Sequence, residues 1–391
     1  MEAADSREER SKHTLQTLIS EARATQDMLV GLLGSKECLH ELVTGERLPT
    51  LHEATLLGAF LNVSPALLLQ TAEPSLGVSL RLGAADGMHD ATEAVRHAIR
   101  LLSADRLTRD WGFVQPVRAV RNFAASKVWH QAKAGERTAA RLRAYLGIED
   151  LDAIEDLTGL VESLGYPVEY RKLPADVHGI SVPEKWPSET AWVILINSDD
   201  VWTRQRFTLA HELCHVLQKD VGQVIVDRVS MPDIGPERVA NNFARHLLLP
   251  EEALQDKIST HGKIASNSAA VDFFADVMLT YGISRDSLAI SLQEAGAEIT
   301  QTSYFRYCQT VTVREIMRLS GNAEPWEELD EARGEVIPSE RLTQQVLDAY
   351  GSGLVSLQSV ADVIAGADIE AARSQLREAG WSFPDPAGVA N

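Results

Sequence analysis

Apolar positions along the chain recur mostly at helical spacing. The clearest run covers residues 206–217, which contain no Gly or Pro. Its apolar side chains fall at helical intervals and are Phe207, Leu209, Leu213, Val216 and Leu217. A second uninterrupted run, at 237–249, is opened by Gly235 and Pro236 and stopped by Pro250, the punctuation typical of a helix. The pattern therefore predicts two well-defined helices in the middle of the chain.

The remaining pattern predicts more helices and a small sheet. The other predicted helices cover residues 15–19, 28–33, 36–43, 50–61, 65–70, 117–131, 139–146, 151–164, 271–281, 284–295, 342–350, 357–364 and 369–378. Short β-branched runs predict strands at 168–170, 179–182 and 192–197, and His178 is expected in an exposed loop just before the second. The expected fold is mainly α with a small β-sheet, an α+β class.

At 391 residues the chain is too long for one ordinary core, so two or three domains are expected. We predict a frayed tail at 1–12, a five-helix unit at 13–72 and a basic helical connecting region at 73–137. The sheet and the two central helices belong to a unit at 138–320. A helical C-terminal region with a disordered end completes the chain at 321–391.

The first central helix carries the sequence His-Glu-x-x-His. Residues four apart share a helical face, so His211 and His215 present two imidazoles to one point, as zinc requires of two ligands. Glu212 is the candidate general base, because it follows the first histidine closely enough to act on water at the metal. Such a string also arises by chance in helical proteins, and the alternative is two helix histidines with ordinary partners.

The second central helix offers a third ligand. Catalytic zinc usually has three protein ligands and one open position, and Glu237 could supply the third. Asn241 lies four residues on, on the same face, where it could hydrogen-bond to a ligand or to the first helix. The alternative for Glu237 is a solvated acid in the first helical turn, favoured by the helix dipole.

Together the two motifs resemble a known family. Arg-Phe-Thr-Leu-Ala-His-Glu-Leu-x-His, followed by Glu-x-x-Ala-Asn-x-Phe-Ala-x-x-Leu-Leu-x-Pro, is similar in order and spacing to the ImmA/IrrE family of zinc-dependent metallo-endopeptidases. The resemblance implies a zincin-like fold in which His211, His215 and Glu237 bind zinc and Glu212 is the base. Cys214 stands where the family commonly has Gly, and we expect it to be a packed core cysteine. His246 stands where an acid is frequent.

The N-terminal helices resemble the repressor-type (XRE-like) helix-turn-helix domain of phage-repressor-like regulators. The turn at Gly34 and Ser35 lies between the second and third helices, although it is one residue shorter than usual. The resemblance implies that the third helix enters the major groove and that Gln26 contacts a phosphate.

The charge of the predicted helix-turn-helix unit is poorly suited to binding DNA. The third helix carries Glu37 and Glu41, and acids facing phosphates weaken binding. If the unit binds DNA, the residues to test are Gln26, Lys36, His40 and Arg47. The alternative is a helical bundle used for protein contact or homodimerisation. The basic region at 73–137 also has two interpretations. It forms a surface that binds nucleic acid or a partner, or its arginines pair with acidic residues of neighbouring domains.

Composition limits the cellular locations and the binding partners that are expected for the protein. No stretch approaches the roughly twenty apolar residues of a membrane span, and residues 1–12 lack the apolar core of a secretory signal. Three scattered cysteines indicate a reducing compartment without a disulfide framework, so a cytoplasmic location is expected. The net charge of −19 argues against a surface that binds nucleic acid as a whole.

Two functions follow from these patterns. The first is a regulatory metallo-endopeptidase using Zn²⁺, with Mn²⁺ as the alternative ion, which cleaves a protein substrate. The resemblance implies that this substrate is a helix-turn-helix repressor and that cleavage derepresses stress, mobile-element or defence genes. The second is a DNA-binding regulator or antitoxin-like protein whose metal domain senses a signal and does not cleave. Intact His211, Glu212, His215 and Glu237 favour the first.

Overall fold

The described chain is mainly helical and holds one small sheet, which confirms the predicted α+β class. The computed structural model describes residues 15–19, 24–61, 68, 88–113, 133–185, 190–218, 225–228 and 235–381. Two predicted helices, at 65–70 and 117–131, lie wholly or almost wholly outside these residues. No helix within the described ranges is both long and apolar enough to cross a bilayer.

The chain divides into two compact units. One contains residues 1–81, 93–116 and 338–391, and the other contains 82–92 and 117–337. The helices near the C-terminus therefore belong to the same unit as the N-terminal helices, whereas the sequence suggested a region of their own. The reason is packing: the Ser356 amide donates to the Phe60 carbonyl, and Gln345 donates to Asp105.

The first unit is built from amphipathic helices around small apolar cores. The bounds are α1 Gln26–Leu33, α2 Lys36–Thr44, α3 Leu51–Leu61 and α4 Met88–Asp110, of which residues 93–110 belong to this unit. Three more helices, Glu340–Gly351, Leu357–Ile364 and Ile369–Glu378, lie near the C-terminus. Gly34 ends α1 in the left-handed conformation, and the Ser35 hydroxyl caps α2 by accepting from the Cys38 amide. These caps confirm the tight turn between α1 and α2, which correspond to the second and third helices predicted from the sequence.

The second unit centres on a four-stranded mixed sheet. Its strands are β1 Val168–Arg171, β2 Val177–Lys185, β3 Thr190–Asn197 and β4 Ile225–Arg228, in the spatial order β1-β3-β2-β4. β1 pairs parallel with β3, and β2 pairs antiparallel with both β3 and β4. The sequence did not predict β4, which has only four residues and offers little periodicity. β2 starts earlier than predicted, so His178 lies within a strand rather than in a loop.

The remaining elements of the second unit are helices. Their bounds in chain order are α5 Ala134–Leu146, α6 Leu157–Ser163, α7 Trp202–Gln218, α8 Pro236–Leu248, α9 Glu251–His261, α10 Asn267–Tyr281, α11 Arg285–Glu294, α12 Ser303–Thr310, α13 Val313–Leu319 and α14 Ala323–Leu329. α6 is shorter than predicted because the Asp156 carboxylate caps it, accepting from the Gly159 amide at 2.7 Å.

The two predicted central helices become α7 and α8, which pack against each other, and α7 also packs against β2 and β3 of the sheet. α5 covers α8 closely at Gly135, where an added Cβ would lie 2.4 Å from the Val239 carbonyl oxygen. Apolar side chains of β1, β3, α7 and α8 share one core, which includes the buried Cys214. This core fixes the separation of the two helices that carry the candidate ligands.

Candidate metal centre

The two histidines of α7 meet the acid of α8 in the interior of the second unit. His211 and His215 are each 2% exposed, so neither imidazole has an ordinary solvent environment. Glu237 is in the first turn of α8, and its side chain is 17% exposed. One ligand atom from each of the three lies within 4.8 Å of the others, and no other such group of His, Cys, Asp or Glu occurs among the described residues.

The donor atoms are spaced as ligands of one ion. The Nε2 atoms of His211 and His215 are 3.1 Å apart, and Glu237 Oε2 lies 3.1 Å from the first and 3.6 Å from the second. Ligands about 2.1 Å from a tetrahedral ion lie about 3.4 Å from one another. The observed spacings fall on either side of that value, so the three residues fit a zinc-sized ion.

Hydrogen bonding supports the same interpretation. His211 Nδ1 lies 2.9 Å from Asn241 Oδ1, so the ring donates its Nδ1 proton to that amide oxygen. In the neutral ring the lone pair is then on Nε2, which faces a carboxylate oxygen and a second imidazole nitrogen. A cation satisfies such converging lone pairs, and an outer partner that fixes the ring tautomer is common at metal sites.

Glu237 is ionised in this setting. Burial acts to raise the pKa of its carboxyl, but the contacts with His211 and His215 lower it more, so the net pKa lies below the usual value for a glutamate. A carboxylate is the form that binds a metal ion, so the protonation state is already suitable.

Glu212 is fully buried beside the histidines and is held by the sheet. Its Oε2 accepts a hydrogen bond from the Ser181 hydroxyl of β2. β2 approaches α7 so closely that a Cβ on Gly179 would lie 2.6 Å from Thr208 Cγ2 and 3.2 Å from Glu212 Cγ. The strand therefore fixes the position of the candidate base.

Sequence reasoning did not identify Ser181 or Gly179 as part of the site. The alternation of side chains along β2 places Gly179 and Ser181 on one face, because residues two apart share a face of a strand. The sequence does not show that this face lies against α7. His178, on the same strand, contacts Asp200 through Nδ1 at 2.8 Å and thus has a partner of its own.

The candidate DNA-binding residues belong to the first unit. Gln26 and Lys36 begin α1 and α2, and both are exposed, as is His40. Arg47 is engaged within the unit: its guanidinium donates to Glu41 and Glu53 at 2.7 Å. Its observed role is to join α2 to α3.

Comparison with known proteins agrees with the geometry. Residues 162–293, roughly a third of the chain, match the family Peptidase_M78, described as an IrrE N-terminal-like domain. This segment contains β1 to β4, α7, α8 and all three candidate ligands, and the match supports a metallopeptidase-type function for it. Comparisons with curated proteins and with solved structures gave no match.

Proposed function

We propose that the protein is a zinc-dependent regulatory endopeptidase, with Mn²⁺ as the alternative ion. The observation that carries the proposal is the convergence of His211, His215 and Glu237 within 4.8 Å, beside the buried Glu212, inside the segment that matches a peptidase family. Bound zinc would supply Lewis acidity, which polarises a peptide carbonyl and acidifies a coordinated water.

The chain's own residues perform the remaining steps. His211 and His215 would hold the ion through Nε2, and Asn241 keeps the first ring in the required tautomer. Glu212 accepts the proton of the attacking water and delivers it to the leaving amine. Ser181 donates to Glu212 Oε2 and so directs the second carboxylate oxygen, Oε1, to that proton transfer. These roles account for the burial of the carboxylate and for its fixed orientation.

We propose a helix-turn-helix repressor as the substrate, cut in the cytoplasm to derepress stress, mobile-element or defence genes. The support is the family match together with the N-terminal helices, whose capped tight turn is typical of a helix-turn-helix arrangement. In this proposal the first unit docks the peptidase to its repressor or to DNA, with Gln26, Lys36 and His40 exposed for the contact and Arg47 holding the unit together.

The deciding experiment compares Glu212→Gln with the wild-type protein. The zinc-loaded full chain is incubated with intact repressor-type proteins, and products are identified by mass spectrometry. We expect cleavage to fall by about 10²–10⁴-fold in the variant, the range typical for loss of a general base. Metal content should stay unchanged because all three ligands remain.

The controls separate binding from chemistry. His215→Ala and Glu237→Ala should lose both the metal and the cleavage. Cleavage that persists in metal-loaded Glu212→Gln would remove the assigned base, and a wild-type chain that binds no zinc or manganese would remove the peptidase proposal itself.

A further inference from the structure

A large groove in the second unit begins beside the metal centre. Its volume is about 1240 Å³, and its lining includes Phe207 of α7 and Asn241 of α8, the two residues that flank His211. The Phe207 ring lies 6.4 Å from the His211 ring, centre to centre. A peptide that reaches the centre can therefore continue along this groove, so its lining bears on which sequences are cleaved.

Most cations that line the groove already have acidic or carbonyl partners. The pairs are Lys133–Glu136, Arg245–Glu294, Arg285–Asp286, Arg314–Glu327 and Arg333–Asp330. Such pairing offsets part of their charge, most strongly for Arg245, whose Nη1 lies 2.6 Å from Glu294 Oε2. These paired cations therefore attract an anionic ligand less strongly than unpaired cations would.

Arg204 and Arg238 differ from these. Both line the groove and both are exposed. Within the described residues neither side chain has an ion pair or hydrogen bond. The contrast holds on each helix. On α7, Arg206 donates to the Ile154 and Glu155 carbonyls, and on α8, Arg245 donates to Glu294, whereas Arg204 and Arg238 have no such partner in the part of the chain that the structure describes.

Their positions relate them to the catalytic residues. Arg204, Phe207 and His211 lie on successive turns of α7, and Arg238 lies beside Glu237 and one turn before Asn241. Arg204 is seven residues from His211, about 10 Å along the helix, which an extended peptide covers in about three residues. An arginine fork recognises a carboxylate with two parallel hydrogen bonds.

We infer that Arg204 and Arg238 form a specificity subsite for acidic side chains, so that the peptidase selects segments with Asp or Glu within about three residues of the scissile bond. The inference rests on the proposed peptidase function, because it uses the same groove and centre. Two exposed apolar residues, Val201 and Ile290, also line the groove, so the preferred segment mixes acidic with apolar residues. Glu251 on the same wall disfavours a uniformly charged nucleic acid more than a peptide in which acidic and apolar residues alternate.

Binding is tested without catalysis. The probe is a fluorescein-labelled peptide of alternating Glu and Leu, with a Gln and Leu peptide as its neutral counterpart, added to the zinc-loaded full-length Glu212→Gln protein. We expect the acidic peptide to bind about tenfold more tightly by fluorescence anisotropy, and added salt should reduce that preference. The preference should disappear in Glu212→Gln carrying Arg204→Gln and Arg238→Gln.

A matched control removes an arginine elsewhere. Arg306 is exposed, has no ion pair among the described residues and lies outside the groove. Arg306→Gln should keep the full preference, which would exclude a general effect of net charge. Equal binding of both peptides, or tighter binding of an oligothymidylate than of the acidic peptide, would overturn the subsite.

Cleavage provides the second measurement. In a proteome-derived peptide library, products of the wild-type enzyme should be enriched in Asp and Glu at a fixed distance from the cut, and the double arginine variant should lose this enrichment while still cutting. Cleavage without enrichment overturns the subsite and leaves the peptidase intact. Selective binding without any cleavage keeps the subsite and overturns the peptidase, so the two failures are distinguishable.

Discussion

At the scale of single residues, the site depends on close approach as much as on ligands. Gly179 sits where β2 touches α7, and only the absence of a side chain leaves room for Thr208 and Glu212. Ser181, two residues on, uses that proximity to donate to Glu212. The ligands could be predicted from spacing on a helix, but these strand residues could not, because nothing local indicates which face of a strand meets which helix.

We therefore predict that Gly179→Ala impairs the peptidase and destabilises its unit. The new methyl group would lie 2.6 Å from Thr208 Cγ2, so β2 or Glu212 must move, at a cost of about 1–3 kcal/mol. Peptide hydrolysis and urea unfolding measure the two effects. Gly31→Ala is the matched control: no atom lies within 4 Å of its Cβ position in α1, so unfolding should be unchanged or harder by up to about 1 kcal/mol. Equal behaviour of the two variants would contradict the assigned contact.

At the scale of elements, one ion-pair cluster fastens α2 to α3. Arg47 follows α2 and donates to Glu53 in the first turn of α3, and Cys38 of α2 donates to the same carboxylate at 3.0 Å. The hydrogen bonds from Arg47 are the main cause that lowers the pKa of Glu53 well below its usual range. The helices themselves follow from the sequence, through caps at Thr25 and Ser35, whereas the cluster depends on how they pack.

This cluster should give the helices a pH-dependent stability. Because the pKa of Glu53 is lower in the folded state than in the unfolded state, its contribution is present above the unfolded value near 4.5 and is lost as pH falls below it. Glu53→Gln should weaken amide hydrogen-exchange protection in α2 and α3 at pH 7 by about 1 kcal/mol, a value kept small because the Arg47 side chain is 33% exposed. The difference between variant and wild type should shrink as pH decreases towards 3, and a difference that grows would contradict it.

At the scale of the whole molecule, the candidate ligands join two helices of the second unit. His211 and His215 come from α7 and Glu237 from α8, so a bound ion links elements separated by β4 along the chain. Ligand binding to the native state alone stabilises it by about 4 kcal/mol when the free ion is at a thousand times its dissociation constant.

Removing the ion should therefore lower the thermal stability of this unit. We expect EDTA to decrease the temperature of one unfolding transition in differential scanning calorimetry by several degrees, and added zinc to restore it. Glu237→Ala should show little response to either reagent, because it lacks the third ligand. A transition that EDTA leaves in place would show that the three residues do not bind a stabilising metal.

The sequence by itself determined the helices and the chemistry on α7 and α8. Helical spacing places His211 and His215 on one face, and capping residues and glycines set the helix ends, since both depend on neighbours a few positions apart. Only the tertiary structure decided how the strands serve the site, that β4 joins the sheet, and that the C-terminal helices belong with the N-terminal unit. It also decided which arginines are engaged and which, like Arg204 and Arg238, have no side-chain partner among the described residues. These features depend on contacts between distant segments, and side-chain spacing along the chain carries no record of them.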